Sequence, residues 1–301
     1  MQKTLISIIG STGIGKTKLA IEMAKHFGTE IISCDSRQFF KEMKIGTATP
    51  TDEELAQAKH HFIGHLSVQD YYSIGQYEED ALEKIEEIFE KNDFVVLVGG
   101  SMMYEKAVVE GLNDLPEANA ENQEKLQKIL DEEGLEKLQE ILKNLDEEYY
   151  NVVHKENPRR LLRAIDVIWQ TGRKYSEIIA EPKHKRDFKV VRIGITAPRE
   201  IMYERINLRV DKMLENGLID EVKSLTEYQK LVPLQTVGYT EIFKYLEGTW
   251  DLDFAVEEIK KNSRRYAKRQ ETWNRKVENV TWLPYDYSEE QLHEILSKIE
   301  K

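Results

Sequence analysis

Cysteine is almost absent from this sequence, because its 301 residues include only Cys34. A single thiol cannot form an intramolecular disulfide, so we expect a reducing compartment. Long hydrophobic runs are also missing near the N-terminus, where the first apolar run covers only the five residues from Leu5 to Ile9. A run of that length predicts neither a signal peptide nor a membrane span. These absences predict a cytoplasmic protein with no membrane partner.

A standard zinc pattern is missing as well. His60, His61 and His65 lie close together in the sequence, but their spacing matches no common zinc site. One cysteine cannot complete a thiolate site with them. The three histidines therefore do not predict a metal centre, and their role stays open.

The chain is acidic overall, but its positive charge is unevenly distributed. The net charge is −12, with 40% hydrophobic and 33% charged residues, which is typical of a globular protein. Acidic residues dominate residues 117–148, which predicts a solvated helical face. In residues 260–276, however, eight Lys and Arg residues stand against one acid, Glu271. A local basic face of this kind can bind a polyanion although the rest of the chain repels it.

A glycine-rich loop organises the N-terminal part of the chain. Residues 10–17 fit the phosphate-binding pattern G-x-x-x-x-G-K-[ST], after a short apolar strand and before a helical pattern that ends at Gly28. Backbone N–H groups and the helix dipole then converge on phosphate, Lys16 adds a positive charge, and Thr17 offers a hydroxyl for Mg²⁺. The predicted phosphate-binding residues are Gly10, Ser11, Thr12, Gly13, Ile14, Gly15, Lys16 and Thr17.

Two further buried strands are predicted, at residues 30–34 and 94–98. Asp35 follows the first, and functional groups gather at the carboxyl ends of strands in such sheets. The other strand ends in Gly99-Gly100-Ser101, where hydrolytic NTPases place an acid that helps to hold Mg²⁺. This omission disfavours motor-type ATP hydrolysis and indicates a general base, Asp35, beside the phosphate.

The remaining pattern predicts an α/β P-loop NTPase-like core, with a parallel sheet flanked by helices and an all-helical insertion. We expect the core at 1–113 and 188–301 and the insertion at 114–187, because no strand pattern interrupts the helices in that region. Predicted helices of the insertion span 121–133, 135–145 and 157–171, and later helices span 199–225 and 254–273. Residues 235–240 are predicted to be a loop, and 280–283 an edge strand.

An ordered set of motifs resembles the tRNA dimethylallyltransferases. Besides the P-loop, the matching stretches are Ile31–Gln38, Ile45–Ala48, Val98–Tyr104, Asn157–Ala164, Gln235–Tyr239 and Arg264–Trp273. The resemblance spans nearly the whole chain. It implies transfer of a dimethylallyl group from dimethylallyl diphosphate to the exocyclic amine of the adenosine just 3′ of a tRNA anticodon, with Mg²⁺ as cofactor. Ser101 departs from the usual threonine of the family but keeps the hydroxyl, and Asn274 stands where an aromatic residue is frequent.

The resemblance also implies roles for individual residues. Asp35, Ser101 and Lys16 are the expected catalytic residues, and residues 10–17 the diphosphate site, with Thr17 on the Mg²⁺. A Mg²⁺-shell or helix-capping role for Asp35 stays open, as does contact of Arg205 or Arg209 with the diphosphate. The expected contacts to the anticodon stem-loop are Asp35, Ser36, Arg37, Gln38, Ser101, Arg159, Arg160, Leu161, Leu162, Arg163, Gln235, Thr236, Val237, Gly238, Tyr239 and Thr240.

Three alternatives remain at this level. A P-loop kinase of small molecules explains the missing hydrolytic acid, but it leaves the basic helices without a role. A nucleotide-gated RNA-binding module leaves Asp35 and Ser101 without one. An isopentenyltransferase acting on free adenine nucleotides keeps the chemistry, although the insertion and the 235–240 segment favour tRNA. We expect a monomer, since modification of one base needs no symmetry.

Overall fold

The structure, a computed structural model, describes residues 2–300; Met1 and Lys301, the outer limits of the predicted core, lie outside the described residues. The described chain contains one six-stranded sheet in which every pairing is parallel. Its strands are β1 (Thr4–Gly10), β2 (Ile31–Ser33), β3 (His60–His61), β4 (Phe94–Val98), β5 (Lys189–Thr196) and β6 (Val280–Pro284). They lie in the order β3-β2-β4-β1-β5-β6, so β1 is central and β6 is an edge strand.

Helices pack on both faces of this sheet. The helices that connect or follow its strands, outside the second unit described below, are α1 (Lys16–Phe27), α2 (Asp52–Leu55), α3 (Ile74–Phe89), α4 (Met102–Glu110), α10 (Arg199–Glu215), α11 (Leu218–Ser224), α12 (Tyr239–Leu246), α13 (Leu252–Asn274) and α14 (Glu289–Ile299); α2 buries none of its residues. Short 3₁₀ turns lie at Thr226–Tyr228 and Val232–Leu234. None of the helices in residues 2–300 is both long and apolar enough to cross a membrane.

The strand sequences explain why the sheet is covered on both sides. All seven residues of β1 are buried, and neighbouring side chains enter different clusters, Leu5 on one face and Ile6 on the other. The Leu5 face packs against α3, α11 and α12, and the Ile6 face against α1 and α14. Burial of each such side chain contributes about 1.5–3 kcal/mol, so the fold holds β1 and the loop after it firmly.

A second compact unit, Glu110–Lys185, is entirely helical within its described elements, and the described chain on either side of it forms the first unit. Its helices are α5 (Ala120–Glu133), α6 (Leu135–Leu145), α7 (Glu147–Val152), α8 (Pro158–Thr171) and α9 (Tyr175–Ile179). Asn157 caps α8 by accepting a hydrogen bond from the Arg160 N–H, and Pro158 occupies the first helical position. Leu126, Leu138 and Leu161 are fully buried in its own core.

The predicted α/β fold, a parallel sheet flanked by helices, is confirmed. The missed elements are β3, α4, α7, α9, α12 and α14. The prediction of a loop through 235–240 is wrong at its end, because α12 begins at Tyr239. Helix α2 ends at Leu55, and α3 begins at Ile74, where Ser73 and Gln76 form a capping box.

Candidate active site

The P-loop connects the carboxyl end of β1 to the first turn of α1. Gly15 precedes the helix with φ 111°, a backbone conformation that glycine adopts readily, and it has no side chain to cap the helix. No acidic residue lies in the first turn of α1. The N–H groups of that turn and the positive end of the helix dipole therefore suit an anion.

Lys16 lies within this loop and contacts it directly. Its ammonium group donates to the carbonyl oxygens of Gly10 at 3.0 Å and Ser11 at 2.9 Å. Burial lowers the pKa of Lys16 to about 8, although the negative charge of Asp35 opposes this shift. The amine is consequently close to its titration range at neutral pH, and an anion beside it would favour the charged form.

Two glycines allow Asp35 to lie against the end of β4. A Cβ on Gly99 would lie 2.4 Å from the backbone carbon of Cys34 and 2.6 Å from the Asp35 nitrogen. A Cβ on Gly100 would lie 2.9 Å from Asp35 Oδ2. The Gly-Gly pair that replaces the acid of hydrolytic enzymes therefore makes room for Asp35.

Ser101 follows Gly100 after β4 and contacts the residues that follow β2. Its Oγ accepts a hydrogen bond from the Ser36 N–H at 3.0 Å and forms a second one with Ser36 Oγ at 2.9 Å. Asp35 in turn accepts from the Arg37 N–H through Oδ1 at 3.2 Å. These contacts join the end of β2 to the start of α4 and fix both polar side chains relative to each other.

Asp35 lies between two adjoining cavities. One, of about 450 Å³, is lined by the P-loop from Thr12 to Lys18, and we refer to it as the P-loop cavity. The other, of about 260 Å³, is lined by Ser36, Ser101 and residues of α10, α13 and the segment before α12, and we refer to it as the acceptor cavity. Thr12, Asp35 and Arg209 line both cavities. A carboxylate at this boundary can reach a group in either cavity.

Two arginines of α10 complete the cationic lining, one helical turn apart. Arg205 Nε donates to the Gly13 carbonyl oxygen at 2.9 Å, and Arg209 Nη2 donates to the Thr47 carbonyl oxygen at 2.9 Å. Burial lowers the pKa of Arg209, and the charge of Asp35 opposes this effect. The structure places both residues in the lining of the P-loop cavity, which the sequence left open.

Gln270 of α13 connects the P-loop to the Gly100 loop; it lies in the Arg264–Trp273 stretch that resembles the family, but no individual role was predicted for it. It is 1% exposed; its Oε1 accepts from the Thr12 N–H at 2.8 Å, and its Nε2 donates to the Gly100 carbonyl oxygen at 2.8 Å. The Tyr266 hydroxyl donates to the same carbonyl oxygen at 2.8 Å. The contact between Gln270 and Thr12 joins residues 258 positions apart, which no local pattern reveals.

Several of the expected RNA-contacting side chains have partners inside the protein. Gln38 Nε2 donates to the carbonyl oxygens of Thr47 and Ala48, so this side chain supports the loop that lines both cavities. Arg37 Nη1 donates to the Val232 carbonyl oxygen at 3.3 Å. Thr236, Val237 and Gly238 line the acceptor cavity, whereas Gln235 is exposed on the surface.

Tyr239 and Thr240 contact their own unit. Tyr239 is fully buried; its hydroxyl donates to Glu221 at 2.6 Å, and burial raises its pKa. A Cβ on Gly46 would lie 2.5 Å from its ring, so Tyr239 packs beneath the loop that lines the cavity. Thr240 donates to the Thr236 carbonyl oxygen and to Glu241. The expected RNA contact by the Tyr239 side chain is thus corrected to a supporting role.

The expected residues of α8 lie in the helical unit and differ in exposure. Arg159 and Arg160 are exposed, and Leu162 is partly buried. Leu161 is fully buried, so its side chain has no surface to offer to RNA. Arg163 pairs with the buried Asp166 at 3.3 Å and donates to the Pro116 carbonyl oxygen at 2.5 Å. Arg163 thereby anchors the start of the unit, and its expected contact with RNA stays a prediction.

The histidines and the cysteine have other surroundings. His61 Nε2 lies 2.5 Å from Glu30, and His65 packs against the rings of Phe39, Phe62 and Tyr72. His60 lines the P-loop cavity, and its Nε2 is buried without a hydrogen-bond partner. Across residues 2–300, no three His, Cys, Asp or Glu side chains group as a metal site. Cys34 is 1% exposed, and burial raises the pKa of its thiol well above the usual value.

Comparison with known proteins gives concordant matches. The model of the IPP transferase family matches residues 38–277. A tRNA dimethylallyltransferase of Christiangramia forsetii is 49% identical over 99% of both chains. The tRNA dimethylallyltransferase 1 of Bacteroides fragilis is 46% identical, over 99% of this chain and 98% of the relative.

Solved structures agree with these matches. The full-length tRNA isopentenylpyrophosphate transferase of Bacillus halodurans superposes with a TM-score of 0.73 and 36% identity, covering 99% of this chain and 96% of that one. A eukaryotic dimethylallyltransferase, described as acting on tRNA, gives a TM-score of 0.85 and 27% identity, over 98% of this chain and 79% of that one.

Proposed function

This chain belongs to the IPP transferase family, and from that premise we propose that it transfers a dimethylallyl group from dimethylallyl diphosphate to tRNA. The acceptor is the exocyclic amine of the adenosine just 3′ of the anticodon. The observation that carries the proposal is the position of Asp35, which lines the P-loop cavity and the acceptor cavity together. A carboxylate there adjoins the diphosphate on one side and the amine on the other.

On the donor side, the P-loop binds the diphosphate. N–H groups of the loop and first helical turn, with Lys16 and Arg209, surround the negative charge that develops as the allylic carbon–oxygen bond breaks. Thr17 lines the same cavity, and its hydroxyl suits Mg²⁺, which takes its remaining ligands from phosphates and water. A bound Mg²⁺ would neutralise part of the diphosphate charge.

On the acceptor side, Asp35 acts as the general base. The amine nitrogen forms a bond to the allylic carbon, the carbon–oxygen bond breaks with its electron pair going to the diphosphate, and the amine proton passes to Asp35. Ser101 holds the Ser36 backbone and hydroxyl next to Asp35. Its hydroxyl can also hydrogen-bond to the target adenine. Both groups are fixed before the substrate arrives, which reduces the cost of orienting them.

The target base must leave its stack to enter the acceptor cavity. Ser36, Arg37 and the 236–238 segment border this cavity and are proposed to contact the extruded nucleotide. We also propose that the exposed Arg159 and Arg160 of the helical unit bind phosphates of the same stem-loop. A cytoplasmic monomer accords with an enzyme that modifies one base of a soluble RNA.

The proposal is tested by incubating the purified protein with Mg²⁺, dimethylallyl diphosphate labelled in the dimethylallyl group, and either unmodified tRNA or AMP. We expect label on tRNA only. Label on AMP alone would identify a free-nucleotide enzyme instead. Absence of label from both, with phosphate transfer from ATP, would identify a kinase.

Asp35→Asn serves as the matched variant in that assay. It keeps the shape of the side chain but cannot accept the proton, so transfer should fall by at least about 10²-fold. Binding of tRNA should change little, because the proton is transferred only during the reaction. Equal turnover of the variant and the wild type would remove Asp35 from the role of base.

A further inference from the structure

The lining of the acceptor cavity contains two chemically different sets of side chains. Polar groups come from the loops after β2 and β4, and they include Asp35, which serves the proton transfer described above. Helices α10 and α13 and the segment before α12 supply apolar side chains, namely Ile206, Val210, Met213, Val237 and Ile259. A dimethylallyl group has no hydrogen-bonding atom, so its methyl groups are bound most favourably by the apolar set.

The acceptor cavity is small for what it has to hold. Its volume is about 260 Å³. Pockets for drug-sized ligands measure about 300–1,000 Å³. In the proposed reaction the extruded adenine and the prenyl group of the donor must both lie here, because they react with each other. The room left for the prenyl group is therefore short, and a longer chain would need an opening in the wall of the cavity.

A larger cavity, of about 810 Å³, adjoins the acceptor cavity, and we refer to it as the outer cavity. The two cavities share two lining residues, Arg209 and Met213. The outer cavity offers apolar surface from Phe40, Ile45 and Leu208. The lysines in its lining are exposed, so their ammonium groups can stay in water. Arg209 and Met213 thus form the partition between a short space and a long one.

The arginine side of this partition is held by hydrogen bonds. Arg209 Nη2 donates to the Thr47 carbonyl oxygen at 2.9 Å. The loop that contains Thr47 is held in turn by the carboxylate of Glu221, which accepts from the N–H of Ile45 at 2.7 Å and from that of Gly46 at 2.8 Å. Because breaking hydrogen bonds to charged groups is unfavourable, this side of the partition is stiff.

Met213 forms the apolar side of the partition. It lies one helical turn after Arg209, so both side chains project from the same face of α10. Met213 is 8% exposed and belongs to the hydrophobic cluster that also contains Val210 and Ile259. Truncation of this side chain beyond Cβ would therefore join the acceptor cavity to the outer cavity, while the hydrogen bonds of Arg209 and Glu221 stay in place.

We propose that Met213 sets the chain length of the donor, because it closes the apolar part of the acceptor cavity behind a five-carbon prenyl group. The inference rests on the proposed function, in which the prenyl group of the donor reaches this cavity. With a smaller residue at position 213, the enzyme should also use geranyl diphosphate, whose second isoprene unit would extend into the outer cavity. The chemistry is unchanged: the amine nitrogen bonds to the first carbon of the chain, the carbon–oxygen bond breaks with its electron pair going to the diphosphate, and the amine proton passes to Asp35.

The test compares dimethylallyl diphosphate and geranyl diphosphate as donors to unmodified tRNA, with Mg²⁺, for the wild type and Met213→Ala. Mass spectrometry of the digested tRNA identifies the group transferred, and the ratio of kcat/KM values gives the donor preference. One extra methylene in a fitted apolar pocket changes kcat/KM by about 10–200-fold, so the wild type should prefer dimethylallyl diphosphate by at least about 10²-fold. Met213→Ala should lower this preference at least about tenfold, with faster geranyl transfer than in the wild type.

Two control variants separate chain length from a general loss of packing. Met202→Ala truncates another buried methionine of α10, which is 2% exposed, belongs to a different cluster and lines a different cavity. Its donor preference should equal that of the wild type. Met213→Leu keeps nearly the same volume and should keep the preference as well. The affinity for tRNA reports whether each variant is folded, and if Met213→Ala loses it, the smaller truncation Met213→Val takes its place.

The inference is wrong if the wild type transfers geranyl as fast as dimethylallyl, or if the truncated Met213 variant gains no geranyl transfer. It is also wrong if Met202→Ala changes the preference as much as Met213→Ala does. These results differ from a failure of the proposed function. If AMP is prenylated instead of tRNA, the proposed acceptor is wrong, but the same comparison of donors with AMP still decides the role of Met213. If neither acceptor is prenylated, both the proposed function and this inference fail.

Discussion

Lys16 connects the charge state of a single residue to substrate binding. Its amine lies against the carbonyl oxygens of its own loop, where burial lowers its pKa to about 8. A lysine with a lowered pKa is charged below that pKa and becomes neutral as the pH rises through it. The positive charge that attracts the diphosphate is therefore lost just above neutral pH.

We predict that kcat/KM for dimethylallyl diphosphate falls by up to about tenfold per pH unit above about pH 8, because kcat/KM follows the ionisation of the free enzyme. The profile is measured from about pH 6.5 to about pH 9.5. Lys16→Arg is the control, since arginine stays charged over this range. The variant should be slower but should not show this decline. A decline shared by both proteins would assign it to another group.

Gln270 acts on the reaction through other residues, so we regard it as a positioning residue. It satisfies the Thr12 N–H and the Gly100 carbonyl oxygen from a buried position. Gly100 precedes Ser101 and borders the carboxylate of Asp35. The amide of Gln270 thereby fixes the distance between the P-loop and Asp35.

We predict that Gln270→Met lowers stability by about 1–3 kcal/mol, because a buried N–H loses its partner. It should also lower kcat about tenfold or more, with little change in the KM for tRNA. Thr29→Val is the control, since it removes a buried hydrogen bond to the Phe94 carbonyl oxygen away from the site. It should destabilise the protein to a similar degree at unchanged kcat. If Gln270→Met and Thr29→Val lose kcat equally, Gln270 has only a structural role. The variant Gln270→Glu keeps the acceptor for the Thr12 N–H and should recover part of the activity.

Among the structural elements, the close approach of β2 and β4 determines where the carboxylate of Asp35 lies. Strands β2 and β4 pair in parallel, and the Cys34 N–H donates to the Val98 carbonyl oxygen at 2.8 Å just past the pairing. Gly99 continues this contact without a side chain. The ends of the two strands are thus as close as their backbones allow.

We predict that Gly99→Ala separates these ends, because the new methyl group would meet backbone atoms that cannot move alone. Overpacking should cost about 1–3 kcal/mol, and kcat should fall at least tenfold as Asp35 moves. Gly248→Ala is the matched glycine control: its φ is +74°, and no atom lies within 4 Å of the added Cβ. It should strain the backbone without affecting turnover. Wild-type kcat in Gly99→Ala would contradict the argument.

The elements that the sequence predicted well are those with strong local signals. Helix α8 begins and ends where Asn157, Pro158 and Gly172 predict, and β4 matches its apolar run residue for residue. Of the missed elements, β3, α7 and α9 are between two and six residues long, too short for a periodic pattern, whereas α4, α12 and α14 are eight to eleven residues long. The loop predicted over 235–240 ends too late, because Gly238 directly precedes the first residue of α12, Tyr239.

Only the site residues that belong to recognisable sequence motifs could be predicted. The P-loop and Asp35 follow from strand and loop patterns, so their meeting in one cavity could be expected. Gln270 depends on a contact between segments 258 residues apart, and the contacts of Gln38 depend on how the loop up to Ala48 folds back, neither of which a sequence pattern encodes. Arg163 is an exception, because its pairing with Asp166 three residues later is a local spacing that the sequence displays.

At the scale of the whole molecule, RNA binding is proposed to be shared by two compact units. Arg159 and Arg160 belong to the helical unit, whose core is formed by its own leucines. The diphosphate site and the acceptor cavity belong to the other unit. Substitutions on one unit should therefore leave the local structure of the other intact.

We predict that Arg159→Ala with Arg160→Ala weakens tRNA binding and lowers its salt slope by about 1–2, while the KM for dimethylallyl diphosphate stays constant. Lys125→Ala with Lys128→Ala is the control in the same unit, because these lysines already pair with Glu121 and Glu132. The control should leave affinity and slope nearly unchanged. If the salt slope of the arginine variant equals that of the wild type, Arg159 and Arg160 do not bind RNA phosphates and only contact solvent.

The buried thiol of Cys34 has a practical consequence for experiments on these two units. It is the only cysteine of the chain, it is 1% exposed, and burial keeps it protonated and unreactive. Maleimide dyes should therefore spare the native protein and attach only to cysteines introduced on the surface. With one such cysteine in each unit, fluorescence resonance energy transfer between the two dyes would report the distance between the units as tRNA is added.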